Sequence, residues 1–309
     1  MFGLGVVTFI LGLFKKVALA DSIAPFADSV FSVANQLTML EAWGGVVAYT
    51  LQIYFDFSGY SDMAVGLGMM FGILLPINFN LPYRATSMID YWKRWHITMT
   101  RFFMMYIYSP ISLLIMRKSI LNNWSKQKQF LLAIITPIVI TFLVSGLWHG
   151  AAWTFVIFGA VNAFGLIVNH AWKEWKLPKP NMFFGWFLTM LTVMTSLIYF
   201  RADNIVDANL IILRMIDPEY LVFPNWLSYY ADYLGISWRT LLVFSSGSYT
   251  VRMAGWIIAL VIFALILKNK PSDLRKIRPT VGLAISSSAM LWMALGWLDE
   301  PSTFIYFQF

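Results

Sequence analysis

Uncharged apolar stretches recur along most of this chain. Four of them are 20 residues or longer and contain no Asp, Glu, Lys or Arg: 63–83, 129–172, 180–200 and 279–298. A helix that crosses the hydrocarbon core of a bilayer needs about 20 such residues. Four shorter stretches are candidates for tilted, partial or re-entrant helices: 2–14, 42–55, 102–116 and 253–267. The pattern predicts about seven to nine membrane segments, all helical, because lipid leaves such segments no other way to pair their backbone groups.

Composition supports the same fold class, an all-α polytopic membrane protein. Charged residues make up 12% of the chain and hydrophobic residues 59%, whereas soluble domains carry about 25% charged residues. The mean hydropathy is +0.69. The net charge of +7 lies mostly in short loops, and no basic patch interleaved with aromatics indicates nucleic-acid binding. The absence of cysteine excludes disulfides and thiolate chemistry.

Clusters of Lys and Arg predict the cytoplasmic loops, because such loops collect basic residues. They lie at 15–16, 84–101, 117–128, 173–179 and 268–278. Taking the last three as cytoplasmic places the segment 201–252 outside. Its aromatic residues form either an interfacial belt or a docking surface for an extracytoplasmic partner or glycan. No repeat or internal boundary is visible, so we expect one integral membrane domain over 1–309.

Two carboxylates lie within apolar sequence in QIYFDFSGYSDMAVGLG, residues 52–68. Ionisable groups at membrane depth are costly, which makes them functional candidates. Asp56 and Asp62 are six residues apart and do not share a helical face. Gly59 and the nearby serines predict a break or bend between them. A structural role, as helix caps or as partners of an arginine, is favoured, and metal binding is unsupported because no histidine stands at ligand spacing.

The next polar region, residues 78–102, reads NFNLPYRATSMIDYWKRWHITMTRF. An apolar stripe with helical spacing predicts an amphipathic helix at the bilayer surface, and its members are Met88, Tyr91, Trp92, Trp95 and Met99. His96 lies at the edge of the stripe. It is either an interfacial polar contact or a catalytic or substrate ligand.

The third candidate is SGLWHGAAW, residues 145–153, in the middle of the longest uncharged run. Small residues on both sides allow a backbone or a substrate to approach the imidazole of His149. A neutral histidine is the side chain best suited to accept a proton near pH 7. The alternative is a satisfied interhelical hydrogen bond. His170, beside Lys173, is expected to be a surface residue.

Several motifs together resemble the membrane-bound O-acyltransferase family, in particular its alginate O-acetyltransferase and polysaccharide-acetylation branch. They are GLFKKVALAD, QIYFDFSGYSDMAVGLG, LPINFNLPYRA, DYWKRWHIT, GLWHGAAWTFVIFG and the terminal FIYFQF. The resemblance implies a ring or funnel of transmembrane and re-entrant helices around a central tunnel. It also implies a multi-pass protein of the bacterial inner membrane.

The resemblance further implies transfer of an acyl group, foremost acetyl, from a cytosolic donor towards hydroxyls of a cell-surface polysaccharide such as alginate. The donor would be acetyl-CoA or another acyl thioester, with no tightly bound cofactor. His149 matches the family's essential histidine and His96 its second histidine. His149 would act as a general base or carry an acyl intermediate. The expected tunnel residues are Trp148, Trp153, Asp56, Asp62, Asn80 and Trp95, and an extracytoplasmic SGNH-hydrolase-like acetyltransferase is the expected partner.

Two departures from the branch's pattern bear on the acceptor and the partner. Met104 and Met105 stand where an arginine–aspartate pair is expected, and no Gly-Gly turn follows Pro110. The chain also resembles roughly the last two thirds of a member, which suggests that an N-terminal piece is missing. Two alternatives remain: D-alanyl transfer to teichoic acid, and a proton-coupled transporter, against which the lack of an inverted repeat counts.

Overall fold

The structure is a computed structural model that describes residues 1–220, 247–266 and 280–298. Within these ranges the chain is helical and contains no β-strand, which confirms the predicted fold class. The helices are α1 (Phe2–Ser32), α2 (Met39–Met70), α3 (Met88–Trp92), α4 (Ile97–Leu121), α5 (Lys126–His149), α6 (Trp153–Glu174), α7 (Met182–Arg201), α8 (Ile205–Ile216), α9 (Gly247–Ile266) and α10 (Val281–Gly296). Helices α1, α4 and α5 each contain a π-helical turn, at Lys15–Ala20, Met104–Tyr108 and Phe130–Ile135 respectively.

Five helices of the described part of the chain are long and apolar enough to cross a membrane: α1, α4, α5, α6 and α7. Shorter apolar helices follow at Met253–Leu265 and Val281–Gly296. The protein is therefore a multi-pass membrane protein. The longest uncharged run forms the predicted helical hairpin, α5 and α6, and the run 180–200 forms α7.

The apolar run 63–83 does not form the predicted membrane helix. Helix α2 ends at Met70, and residues 71–81 are non-helical. Gly72 adopts a positive φ of 79°, which terminates the helix at little steric cost. Pro76 then disfavours a helix across the segment, because proline lacks an N–H and disfavours the helical conformation in the residue before it.

The chain folds as two compact units, the first of which contains Met1–Ile77 and the described part of Arg201–Phe309. Its centre is the packing of α1 against α2 through glycines. A Cβ added to Gly12 would lie 2.5 Å from the carbonyl oxygen of Gly59, and one on Gly66 would lie 2.6 Å from that of Gly5. The predicted break at Gly59 is therefore wrong: α2 is continuous there, and the glycine lets the two backbones approach.

The second unit is Asn78–Phe200. Its short helix α3 is held at the N-terminus by the side chain of Ser87, which accepts from the Asp90 N–H, and by Asn169 of α6, whose Oδ1 accepts from the Met88 N–H at 2.7 Å. Such contacts satisfy N–H groups that a helix start leaves without intrahelical partners.

The prediction of a single amphipathic helix across residues 88–99 is wrong. Helix α3 ends at Trp92, and α4 begins at Ile97. The turn between these two helices forms backbone hydrogen bonds with residues 78–80, which precede α3. The Asn80 N–H donates to the Arg94 carbonyl and the Ile97 N–H to the Asn78 carbonyl, both at 2.9 Å. The stripe still marks buried positions, because Met88, Tyr91, Trp92 and Trp95 are all in the core.

Two predicted features lie outside the described residues: most of the aromatic segment, including Phe223, Trp226 and Tyr229, and the terminal FIYFQF motif. The expectation of a single domain stays a prediction.

Candidate active site

His149 is the last residue of α5 and lies among aromatic rings from three helices. Its ring centroid is 4.9 Å from that of Trp148, 5.0 Å from that of Phe200 in α7 and 5.7 Å from that of Phe158 in α6. All three contacts are edge-to-face, and the Phe155 ring lies 6.3 Å away. An apolar surround of this kind strengthens hydrogen bonds made by the imidazole, because the local dielectric is low.

His96 lies in the turn between α3 and α4 and is half-buried. Its backbone adopts the left-handed conformation, with φ of 40°. Phe79 stacks on the ring with a centroid separation of 6.5 Å. Burial, together with the smaller effect of the nearby His149, lowers the pKa of His96 to about 4. The ring is therefore neutral at pH 7 and can accept a proton or a hydrogen bond.

Asn78, which the sequence reasoning did not single out, is the side-chain partner of His96. Its Oδ1 lies 3.0 Å from Nδ1 of His96 and accepts from both the N–H and the Oγ1–H of Thr98, at 3.2 and 2.9 Å. No signal in a single sequence distinguishes it from Asn80 two residues later. Asn80 takes part through its backbone, whose N–H donates to the Arg94 carbonyl.

The three predicted tunnel tryptophans occupy different surroundings. Trp95 is buried and stacks with Tyr83 and Tyr91, at centroid separations of 6.3 and 5.8 Å. Trp148 and Trp153 are 58% and 73% exposed. Trp95 thus anchors the turn that carries His96, while the other two indoles have open faces. Their roles in a tunnel, like that of Asn80, stay predictions.

Asp56 and Asp62 lie in the first unit and pair with consecutive lysines of α1. Lys16 Nζ is 2.6 Å from Asp56 Oδ1 and 2.7 Å from Asp21 Oδ1, and Lys15 Nζ is 2.5 Å from Asp62 Oδ2. The favoured structural role therefore has geometric support, with lysines as the partners instead of an arginine. Within the described residues, no three His, Cys, Asp or Glu side chains come together as potential metal ligands.

A cleft of about 900 Å³ lies within the second unit, lined by residues of α3, α4, α5 and α6. Its walls include Trp92, Phe142 and Ser145, and its cationic residues are Lys93 and Arg101. Ser145 precedes His149 by one helical turn. The cleft therefore combines apolar walls with two cationic side chains, and neither His96 nor His149 is among its lining residues. His170, expected on the surface, also lines it.

The sequence profile described as the membrane-bound O-acyltransferase family matches residues 1–208. The chain belongs to this family. His96 and His149 both fall within the matched region, as does every residue that lines the cleft. The membrane-bound O-acyltransferase resemblance of the motifs is thereby confirmed.

Three named relatives are similar to this chain in sequence. A peptidoglycan O-acetyltransferase of Helicobacter pylori is 33% identical over 99% of this chain and 56% of its own length. A protein of Azotobacter vinelandii named probable alginate O-acetylase AlgI is 40% identical over 66% of this chain and 38% of its own length. A teichoic acid D-alanyltransferase of Streptococcus thermophilus is 29% identical over 52% of this chain and 41% of its own length. The chain thus spans about half the length of the first relative and less of the other two.

Proposed function

We propose that this protein is an O-acyltransferase that moves an acyl group, foremost acetyl, from a cytosolic thioester across the bacterial inner membrane towards hydroxyls of a cell-surface polysaccharide. The observation that carries the proposal is His149, in the position that matches the family's essential histidine, held by aromatic rings at the end of α5. The family membership supplies the reaction class, and the histidine supplies a group able to perform it.

His149 acts on the acceptor. Its imidazole takes the proton of the attacking hydroxyl as the oxygen forms a bond to the acyl carbonyl carbon. The carbon–sulfur bond then breaks, and the thiolate leaves with a proton returned from the imidazolium. The alternative route, in which the imidazole itself attacks and carries the acyl group, uses the same residue.

The acyl donor is acetyl-CoA or another acyl thioester, and the cleft beside α5 suits it. The acyl group of a thioester donor is apolar and its arm is flexible, while nucleotide phosphates are anionic. The cleft offers apolar walls at Trp92 and Phe142 and cations at Lys93 and Arg101. No tightly bound cofactor is needed for this chemistry.

The final acceptor is a sugar hydroxyl, which the acyl group reaches through the extracytoplasmic partner. The relative that aligns with 99% of this chain is named a peptidoglycan O-acetyltransferase, whereas the alginate relative aligns with 66%. That difference favours peptidoglycan over alginate. D-alanyl transfer to teichoic acid is the second candidate, supported by the shorter match to the teichoic acid enzyme. Final transfer by an extracytoplasmic SGNH-hydrolase-like partner is part of the proposal.

The test uses a bacterium from which the gene has been deleted and to which variants are returned. Alkali releases acetate from O-acetylated glycan, and its amount per milligram of isolated polysaccharide is the readout. His149→Ala is expected to abolish the acetate above the deletion background, while Gln127→Ala, an exposed position on the same helix, leaves it unchanged. Acetate at the unaltered level in His149→Ala, with equal protein in the membrane, would overturn the catalytic assignment.

A further inference from the structure

We propose that Asn78 is a positioning residue, whose side-chain oxygen holds His96 in the Nδ1–H tautomer so that Nε2 is the nitrogen facing the reaction as an acceptor. Its role in acyl transfer rests on the proposed function, but the tautomer itself does not. The tautomer follows from three hydrogen bonds that meet at one atom.

The orientation of the Asn78 amide is fixed by the backbone of α4. A side-chain amide can be turned over without changing its shape, and hydrogen bonding decides which end is oxygen. The Thr98 backbone N–H, which can only donate, lies 3.2 Å from Oδ1. The atom at that position must therefore be the oxygen.

The same oxygen decides the state of the imidazole. An amide oxygen accepts hydrogen bonds and cannot donate one. Since Oδ1 lies 3.0 Å from Nδ1 of His96, Nδ1 carries the proton. In the neutral ring the other nitrogen, Nε2, then holds the lone pair. Which nitrogen of a histidine is basic is commonly set in this way by the bond that the opposite nitrogen makes.

The surrounding backbone holds this arrangement in place. His96 has φ of 40° and ψ of 57°, a left-handed conformation that is unfavourable for a non-glycine residue. The cost is offset by the bond from the Ile97 N–H to the Asn78 carbonyl at 2.9 Å and by the bond from Thr98 Oγ1 to Asn78 Oδ1 at 2.9 Å. Residues held in such conformations by over-determined contacts cluster at functional sites.

Because the partner of His96 is the Asn78 amide and not a carboxylate, His96 and His149 are suited to different tasks. A carboxylate partner would orient the ring and also stabilise the imidazolium that forms when the ring takes a proton, as it does in serine proteases. Asn78 orients the ring but adds no negative charge. His96 is therefore suited to accept a hydrogen bond and hold a hydroxyl or thioester group in place, and His149 is left to take the proton.

Histidine ring nitrogen spectroscopy tests the tautomer directly. The chain contains three histidines, so the full-length protein labelled with ¹⁵N histidine in lipid bilayers gives three ring signals, assigned with His149→Gln and His170→Gln. We expect His96 to show a protonated Nδ1 and an unprotonated Nε2. Asn78→Ala should shift the ring towards the Nε2–H tautomer. Asn78→Asp and Thr98→Val, which both keep an acceptor at Oδ1, should retain Nδ1–H. A protonated Nε2 in the unaltered protein, or an unchanged tautomer in Asn78→Ala, would overturn the assignment.

Acetate release then tests the positioning role. Asn78→Ala is expected to lower base-labile acetate roughly tenfold to a hundredfold, in the range seen when groups that orient functional histidines are removed. Asn78→Asp should retain most of it. If His149→Ala has no effect on acetate, the proposed function fails and the tautomer result stands alone. If His149→Ala abolishes acetate but Asn78→Ala matches the unaltered protein, the positioning role is refuted while the function survives.

Discussion

Replacing Lys16 by methionine is expected to destabilise the first unit far more than replacing its neighbour Lys15. Both lysine side chains are 6% exposed, and both pair with an aspartate of α2. Their partners differ. The Asp56 side chain is 3% exposed, whereas that of Asp62 is 26% exposed. Lys16→Met removes the ammonium 2.6 Å from a carboxylate that water does not reach. Lys15→Met removes the ammonium beside Asp62, a carboxylate that water partly solvates.

The magnitude follows from the cost of an uncompensated buried charge. Removing one partner of a buried pair costs about 3–5 kcal/mol. A carboxylate that loses its counter-ion can instead take up a proton, which costs an aspartic acid about 4 kcal/mol at pH 7. We therefore expect about 3–4 kcal/mol for Lys16→Met. For Lys15→Met we expect about 1–2 kcal/mol, because hydration of Asp62 replaces part of the lost interaction.

Thermal unfolding of the detergent-solubilised protein, followed by size-exclusion of the fraction that remains soluble, measures the difference. At about 2–4 °C per kcal/mol, Lys16→Met should lower the transition by on the order of 10 °C. The double variant Lys16→Met with Asp56→Asn should recover at least half of that loss, because it removes the buried charge. Equal shifts for Lys16→Met and Lys15→Met, or no recovery in the double variant, would refute the reasoning.

Two further predictions concern the helix packing and the donor cleft. Gly59→Ala should lower the free energy of unfolding by about 1–3 kcal/mol, since the added Cβ would lie 2.7 Å from the Gly12 carbonyl oxygen. Gly3→Ala is the control and should leave stability unchanged, because nothing lies within 4 Å of its added Cβ. Equal unfolding temperatures for the two variants would contradict the close packing. The double variant Lys93→Ala with Arg101→Ala should raise the KM for acetyl-CoA in membrane vesicles more than it lowers kcat, because these two cations would bind the phosphates of the donor. An unchanged KM would show that the donor binds elsewhere.

The sequence pattern predicted much of the helical architecture. The run 129–172 is longer than a single span, and the small residues at Gly150 and Ala151 mark where it turns. Charge-free length alone misled at 63–83, because the helix ends at Met70 and residues 71–81, which include Gly72 and Pro76, are non-helical. Hydropathy does not distinguish apolar chain that crosses a bilayer as a helix from apolar chain in a non-helical conformation.

The candidate site was predictable only in part. His149 and His96 stood out, because imidazoles are rare in this chain and lie in apolar surroundings. The break between α3 and α4 was not predictable from the stripe, since it depends on hydrogen bonds to residues 78–80, which are distant in sequence. Asn78 was missed for the same reason. The role of Asp56 as a lysine partner also depends on the close packing of two helices, which no local pattern reveals.

The most direct test of the central claim, that His149 and His96 serve one acyl-transfer reaction, is a comparison of acetyl transfer by the two single variants and the double variant. Membrane vesicles supplied with radiolabelled acetyl-CoA and isolated cell-wall glycan give the rate of label transfer. We predict no transfer above background for His149→Ala or for the double variant, and a reduced rate for His96→Ala. Transfer by His149→Ala at the rate of the unaltered protein would contradict the account.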